Sequence, residues 1–164
     1  MENKIGRGVI HEGDTREVIK QIPDESVDCI ITSPPYFRVR DYGCDAQIGQ
    51  EQTMNLYISE LMKVIDECRR VMKPTGTFWL NIGDSYNGTG GEHNFNDRCA
   101  YAKYASDLGY SKKGKHDKSV PRKSLYGIPY RVMIEMIDRG WILRNVINWR
   151  KDNVMPASVT DRFT

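Results

Sequence analysis

The chain has 164 residues, of which 39% are apolar, and a formal net charge of +2. That length suits one globular domain of ordinary composition. A charge this close to neutral neither demands nor excludes a nucleic-acid partner, and no apolar stretch approaches the roughly 20 residues that span a bilayer.

In chain order, residues 1–8 are polar and lack the apolar core of a signal peptide. Residues 9–11 predict a short strand closed by Gly13-Asp14, and Thr15 is expected to cap a helix reaching Ile22, with Pro23-Asp24 ending it. Residues 27–31 form a β-branched apolar run and predict a buried parallel strand. Residues 37–52 are polar and irregular. The spacing of Leu56/Tyr57, Leu61, Val64/Ile65, Cys68 and Met72 predicts a helix over 53–72, stopped by Pro74-Thr75-Gly76. A second buried strand is expected over 77–82, ending at Gly83-Asp84-Ser85-Tyr86. Residues 87–123 read as a flexible insertion, longer than the roughly 12–15 residues at which loops become unusual. A helix over 125–139 follows, with Ile128, Val132, Met136 and Ile137 inward and Gly140 at its stop. Residues 141–149 predict a last strand. Cys29, Cys44, Cys68 and Cys99 form no C-x-x-C pair and no Cys/His cluster with zinc spacing, so reduced cysteines in a cytosolic protein, and no metal, are expected. The alternation indicates an α/β domain with a mostly parallel sheet, whose ligands sit at the carboxyl ends of the strands.

The unusual sequences fall at those ends. Thr32-Ser33-Pro34-Pro35-Tyr36 directly follows the strand over 27–31. Two consecutive prolines fix φ and hold the chain extended. They also donate no N–H, so the turn presents a hydroxyl, a free carbonyl and an aromatic ring. Such a group can grip a planar amine: the ring stacks on its face and two oxygens accept its two hydrogens. Packing of Tyr36 in a proline-stiffened strand exit is the bland alternative.

D-C-I-I-T-S-P-P-Y resembles the catalytic motif of DNA amino-methyltransferases, of the form (D/N/S)-P-P-(Y/F/W). Three further segments resemble the permuted, beta-type group in the same order: G-D-T-R-E-V-I-K-Q-I-P-D-E-S-V-D before the motif, V-M-K-P-T-G-T-F-W-L-N-I-G-D-S-Y after it, and a later helix and strand leading to W-x-K-x-N-x-x-P. The resemblance implies part of a Rossmann-like class I methyltransferase fold, S-adenosyl-L-methionine as cofactor and double-stranded DNA as substrate, in a cytoplasmic protein of a prokaryote, virus or phage, in a restriction-modification setting. It implies a flipped base and a catalytic turn of Ser33, Pro34, Pro35 and Tyr36. Ser33 Oγ and the Pro34 carbonyl accept from the amino group, Tyr36 stacks on the base and Trp149 walls the pocket. Ser33 also borders the cofactor. By the same resemblance Asp14 accepts from the cofactor's adenine, although it reads equally well as a helix cap. Lys112, Lys113 and Lys115 belong to a basic run that either tracks DNA phosphates or is a solvated charged face.

Serine before P-P-Y is the form associated here with cytosine N4, and aspartate with adenine N6. Adenine N6 and a non-catalytic complementing or DNA-binding subunit are the alternatives. No Pro-Cys dipeptide occurs, which disfavours carbon-5 chemistry. The family's F-x-G-x-G cofactor turn is absent from these 164 residues. The expectation is therefore a catalytic half with open strand edges, completed by a complementary chain or by self-association.

Overall fold

The computed structural model describes residues 2–5, 8–44, 46–87 and 117–152. Strands β1 (Glu2–Ile5) and β2 (Gly8–His11) pair antiparallel. Helix α1 (Thr15–Val18) passes directly into a 3-10 turn over Ile19–Gln21. Strand β3 (Val27–Thr32), helix α2 (Met54–Val71) and strand β4 (Met72–Leu80) form a β-α-β unit in which β3 and β4 are parallel. Helix α3 (Ile128–Asp138) packs against α2.

Helix α2 is the centre of the fold. Met54, Tyr57, Leu61, Met62, Ile65, Cys68 and Val71 recur at helical spacing and are all buried. They meet Ile128 and Val132 of α3 on one side, with Phe78, Leu80 and Ile82 from the β4 segment against the same core. The lower end of α2 packs with Ile19, Ile22, Val27 and Ile30. Thr53 caps the helix, its hydroxyl accepting from the Leu56 N–H at 3.3 Å.

Several boundaries differ from the sequence expectation. Asp14, not Thr15, is the cap of α1: its carboxylate accepts from the Arg16 N–H at 2.9 Å. Pro74-Thr75-Gly76 does not stop α2. The chain turns extended at Met72 and those residues lie inside β4, where the register slips between Val27↔Met72 and Cys29↔Thr77. Helix α3 starts at Ile128 because Gly127 takes φ +70 and the Asp84 carboxylate accepts from the Gly127 and Ile128 N–H groups at 2.8 and 3.3 Å. It ends in a Schellman turn: Gly140, at φ +84, donates to the Ile137 carbonyl and Trp141 to that of Met136. Ile137 faces outward rather than into the core.

Strand β3 is not buried. α2 covers one face of the β3–β4 pair, so Ile30, Phe78 and Leu80 are shielded while Ile31 is 80% exposed and its register partner Trp79 52%. Residues 141–149 form no strand either. Trp141 packs on Phe78, ring centroids 5.1 Å apart, and residues 142–152 then run exposed. A strand needs a ladder partner, and among the described residues none lies beside this segment. Of the insertion over 87–123, the described residues are Asn87 and 117–123, which are tied together: the Asn87 N–H donates to the Ser124 carbonyl at 2.9 Å and the Lys123 N–H to that of Asn87 at 2.8 Å.

Candidate active site

β3 and β4 run parallel, so both deliver their next residues to the same edge. The Asn81 N–H donates to the Thr32 carbonyl at 2.9 Å, which is the last rung of the ladder. Beyond it β3 enters Ser33-Pro34-Pro35-Tyr36, and β4 enters Asn81, Ile82 and Gly83. The Tyr36 hydroxyl donates to Asn81 Oδ1 at 3.3 Å. Its ring lies on Gly83, where a Cβ would come within 2.8 Å of Tyr36 Cε2. A glycine at 83 is thus what lets the aromatic ring approach the end of β4.

The turn is anchored from below. Phe37 is fully buried, with its ring 5.3 Å from that of Tyr57 and 5.0 Å, edge-on, from that of Tyr126. The Tyr57 hydroxyl donates to the Pro35 carbonyl at 3.0 Å. The Tyr36 carbonyl accepts from the Val39 N–H at 3.2 Å, and that of Phe37 from the Ser85 hydroxyl at 3.2 Å. The Gly49 carbonyl accepts from the Arg38 N–H at 2.7 Å.

Set against these, three oxygens of Ser33 and Pro34 remain. Among the described residues the exposed Ser33 hydroxyl and the Ser33 and Pro34 carbonyls take part in no hydrogen bond, while the carbonyls of Thr32, Pro35, Tyr36 and Phe37 are all engaged. A hydroxyl and a carbonyl from adjacent residues, next to a half-buried tyrosine ring, form an acceptor pair suited to a planar amine. The sequence motif and the structural opening coincide at Ser33, Pro34 and Tyr36.

The other candidates fall differently. Asp14 is clamped by Arg16: each carboxylate oxygen accepts twice, from Arg16 N and Nε at 2.9 and 3.0 Å on Oδ1, and from Nε and Nη2 at 3.1 and 2.6 Å on Oδ2. The Arg16 hydrogen bonds and charge hold the Asp14 carboxyl below the usual carboxylate range. With about four lone-pair sites occupied, Asp14 is filled as a cap and does not fit an adenine amine unless Arg16 moves away. Trp149 is 80% exposed, and among the described residues no aromatic ring packs on it or brings it to Tyr36. Lys112, Lys113 and Lys115 lie outside the described residues. Asp84, in the Gly-Asp-Ser-Tyr segment, is taken up in capping α3.

Sequence reading missed Tyr57, Asn81 and Gly49 as parts of this site. Tyr57 was visible only as a core position, and its hydroxyl is the signal: a polar tip on the buried face of α2 needs a partner. It also missed the buried pair Asn87 and Asp117. Asn87 Nδ2 donates to the Asp117 and Val120 carbonyls at 2.8 and 2.6 Å, and Asp117 Oδ2 accepts from the Met54 N–H at 2.7 Å.

The profile of a family described as DNA methylase, covering N6 and N4 enzymes, matches residues 27–164. The Type II methyltransferase M.Cfr9I of Citrobacter freundii is 37% identical over 98% of this chain and 52% of its own length. M.SmaI of Serratia marcescens is 38% identical over 100% of this chain and 54% of its own length. The chain thus spans about half the length of the curated relatives it matches. Among solved structures, a PvuII DNA methyltransferase (cytosine-N4-specific) aligns with 77% of this chain and 32% of its own, at 24% identity and a TM-score of 0.44.

Proposed function

The chain belongs to the DNA methylase family, and from that premise we propose that it is the catalytic part of a methyltransferase domain that methylates the exocyclic amino group of a DNA base, cytosine N4. The observation that carries this reading is the free acceptor pair of Ser33 Oγ and the Pro34 carbonyl beside Tyr36. The target base is flipped out of the duplex and its ring rests on Tyr36. Its two amino hydrogens are donated to Ser33 Oγ and the Pro34 carbonyl. That draws the nitrogen lone pair out of conjugation with the ring and aims it away from the turn. Positioning and fixed dipoles, rather than a covalent enzyme intermediate, carry the rate enhancement.

S-adenosylmethionine, the donor the family resemblance implies, supplies an electrophilic methyl group on a sulfonium. Ser33 borders it in this reading. Because Asp14 is filled by Arg16, no step is assigned to Asp14. Trp149 as a pocket wall, and Lys112, Lys113 and Lys115 on DNA phosphates, complete the proposed substrate contacts. Cytosine N4 is preferred over adenine N6 on the serine before P-P-Y. A cytoplasmic role beside a restriction enzyme follows from the same reading, as does completion of the domain by further chain or by a partner. A purely binding role is disfavoured, since it gives the open acceptor pair nothing to do.

Digesting methylated product DNA to nucleosides and separating them tests the proposal. N4-methyldeoxycytidine is expected. N6-methyladenine would move the target to adenine, and unmodified DNA in the presence of a complementing cofactor half would overturn the catalytic reading.

A further inference from the structure

Of the four residues in the catalytic turn, Pro35 offers no side-chain chemistry, yet its carbonyl is the one held by a buried side chain. Tyr57 is fully buried on α2 and donates its hydroxyl to the Pro35 oxygen at 3.0 Å. Helix α2 is itself pinned at that end, by the Thr53 hydroxyl on the Leu56 N–H and by Asp117 Oδ2 on the Met54 N–H. The hydroxyl therefore projects from a rigid base. Burial raises the Tyr57 pKa, and the charge of Glu51 raises it further, so the group stays a protonated donor across the working range of pH.

The consequence is geometric. The Pro35 ring fixes its own φ. A peptide unit is planar, so holding the Pro35 oxygen holds the whole Pro35-Tyr36 amide and with it ψ of Pro35. With both dihedrals of Pro35 set, the Pro34 carbonyl on one side and the Tyr36 Cα on the other have a fixed mutual orientation. Gly49 packs against the same joint. At φ +103 it presses close enough that a Cβ there would lie 3.1 Å from the Tyr36 oxygen and 3.3 Å from Pro35 Cβ.

We propose that Tyr57 is a positioning residue for methyl transfer: its hydroxyl, with Gly49 packed against the same joint, fixes the Pro34 acceptor relative to the Tyr36 backbone that carries the stacking ring. This inference rests on the methyl-transfer reading above. Tyr57 touches no reacting atom in this account and acts through Pro35.

The test is single-turnover methylation by the cofactor-competent enzyme, comparing wild type with Tyr57→Phe and Gly49→Ala, alongside DNA and cofactor dissociation constants and the thermal midpoint. Tyr57→Phe keeps the ring that packs on Phe37 and removes only the donor. Expected is a fall of roughly tenfold or more in the single-turnover rate, with both dissociation constants and the midpoint little changed. Gly49→Ala should slow transfer too, but with a lowered midpoint, because φ +103 strains any L side chain; its rate per folded molecule decides the matter if Tyr57→Phe does not fold. A rate equal to wild type, or a loss expressed wholly in affinity or stability, would overturn the positioning role and leave the methyl-transfer reading standing. Absence of transfer by wild type itself would overturn both.

Discussion

At the scale of the residue, Tyr36 has two jobs that substitution can separate. Its ring is proposed to hold the flipped base, an interaction worth roughly 1–3 kcal/mol per base in single-strand binders. Its hydroxyl makes one 3.3 Å bond to Asn81 on an open surface, worth about 1 kcal/mol at most. Tyr36→Phe is expected to capture a fluorescent base analogue nearly as well as wild type, and Tyr36→Ala to lose roughly tenfold or more. Gly83→Ala should resemble Tyr36→Ala, because the new Cβ would stand 2.8 Å from Tyr36 Cε2 and push the ring aside. Equal damage from Tyr36→Phe and Tyr36→Ala would assign the role to the hydroxyl instead. Glu51 allows a second test. Burial raises its pKa above the ordinary 4.5, and the Gly49 N–H bond only partly opposes this. The folded state thus binds its proton more tightly than the unfolded chain. Stability is lost as pH rises from the unfolded value through the folded one. Glu51→Gln keeps an acceptor for Gly49 and removes that loss. It should raise the thermal midpoint at neutral pH and lose its advantage below pH 4.5; a variant less stable than wild type at neutral pH would contradict this.

At the scale of the element, α2 is held by a residue from far along the chain. Asp117 is 1% exposed and accepts from the Met54 N–H at 2.7 Å and from the Ser119 N–H and hydroxyl at 2.9 and 2.5 Å. Asp117→Ala leaves these buried donors unpaired, at a cost of about 1–3 kcal/mol. Thr53→Ala removes an exposed cap and should cost about 1 kcal/mol or less. Urea denaturation of the two variants gives the order, and a smaller loss at Asp117 would show that the clamp is not what fixes the helix start. The same helix shows what the sequence discloses. Its length was legible almost to the residue because apolar periodicity is a local signal. The parallel pairing of β3 and β4 was legible because each strand is a short apolar run bounded by turn residues. The start of α3, the Asp117 clamp on α2 and the tether on Pro35 were not, because each depends on a partner distant in sequence: Asp84 on Gly127, Asp117 on Met54, Tyr57 on Pro35. In the site, Ser33, Pro34 and Tyr36 were read from the motif itself, whereas Asp14 was left open between two roles that only Arg16 distinguishes.

At the scale of the whole molecule, the outer face of the β3–β4 pair and the segment after Trp141 expose Ile31, Trp79, Ile142, Val146, Ile147 and Trp149. Adjacent exposed apolar side chains such as Ile31 and Trp79 mark a contact surface. The 164-residue chain is therefore expected to associate, with itself or with a chain that covers this face, and light scattering should give a mass above that of one chain. Trp79→Lys together with Ile31→Lys should lower that mass, since the two face each other across the ladder; unchanged association would place the contact elsewhere.

Catalysis ties the scales together, and methyl transfer from labelled S-adenosylmethionine to DNA reports on it most directly. It would be followed for the chain alone, for the chain with a partner that supplies an F-x-G-x-G cofactor turn, and for that mixture carrying Ser33→Ala. Expected is little or no transfer by the chain alone, transfer to cytosine N4 in the mixture, and a fall of roughly 100-fold in the single-turnover rate on Ser33→Ala with cofactor affinity preserved. Transfer at an undiminished rate with Ser33→Ala would contradict the role given to the Ser-Pro-Pro-Tyr turn.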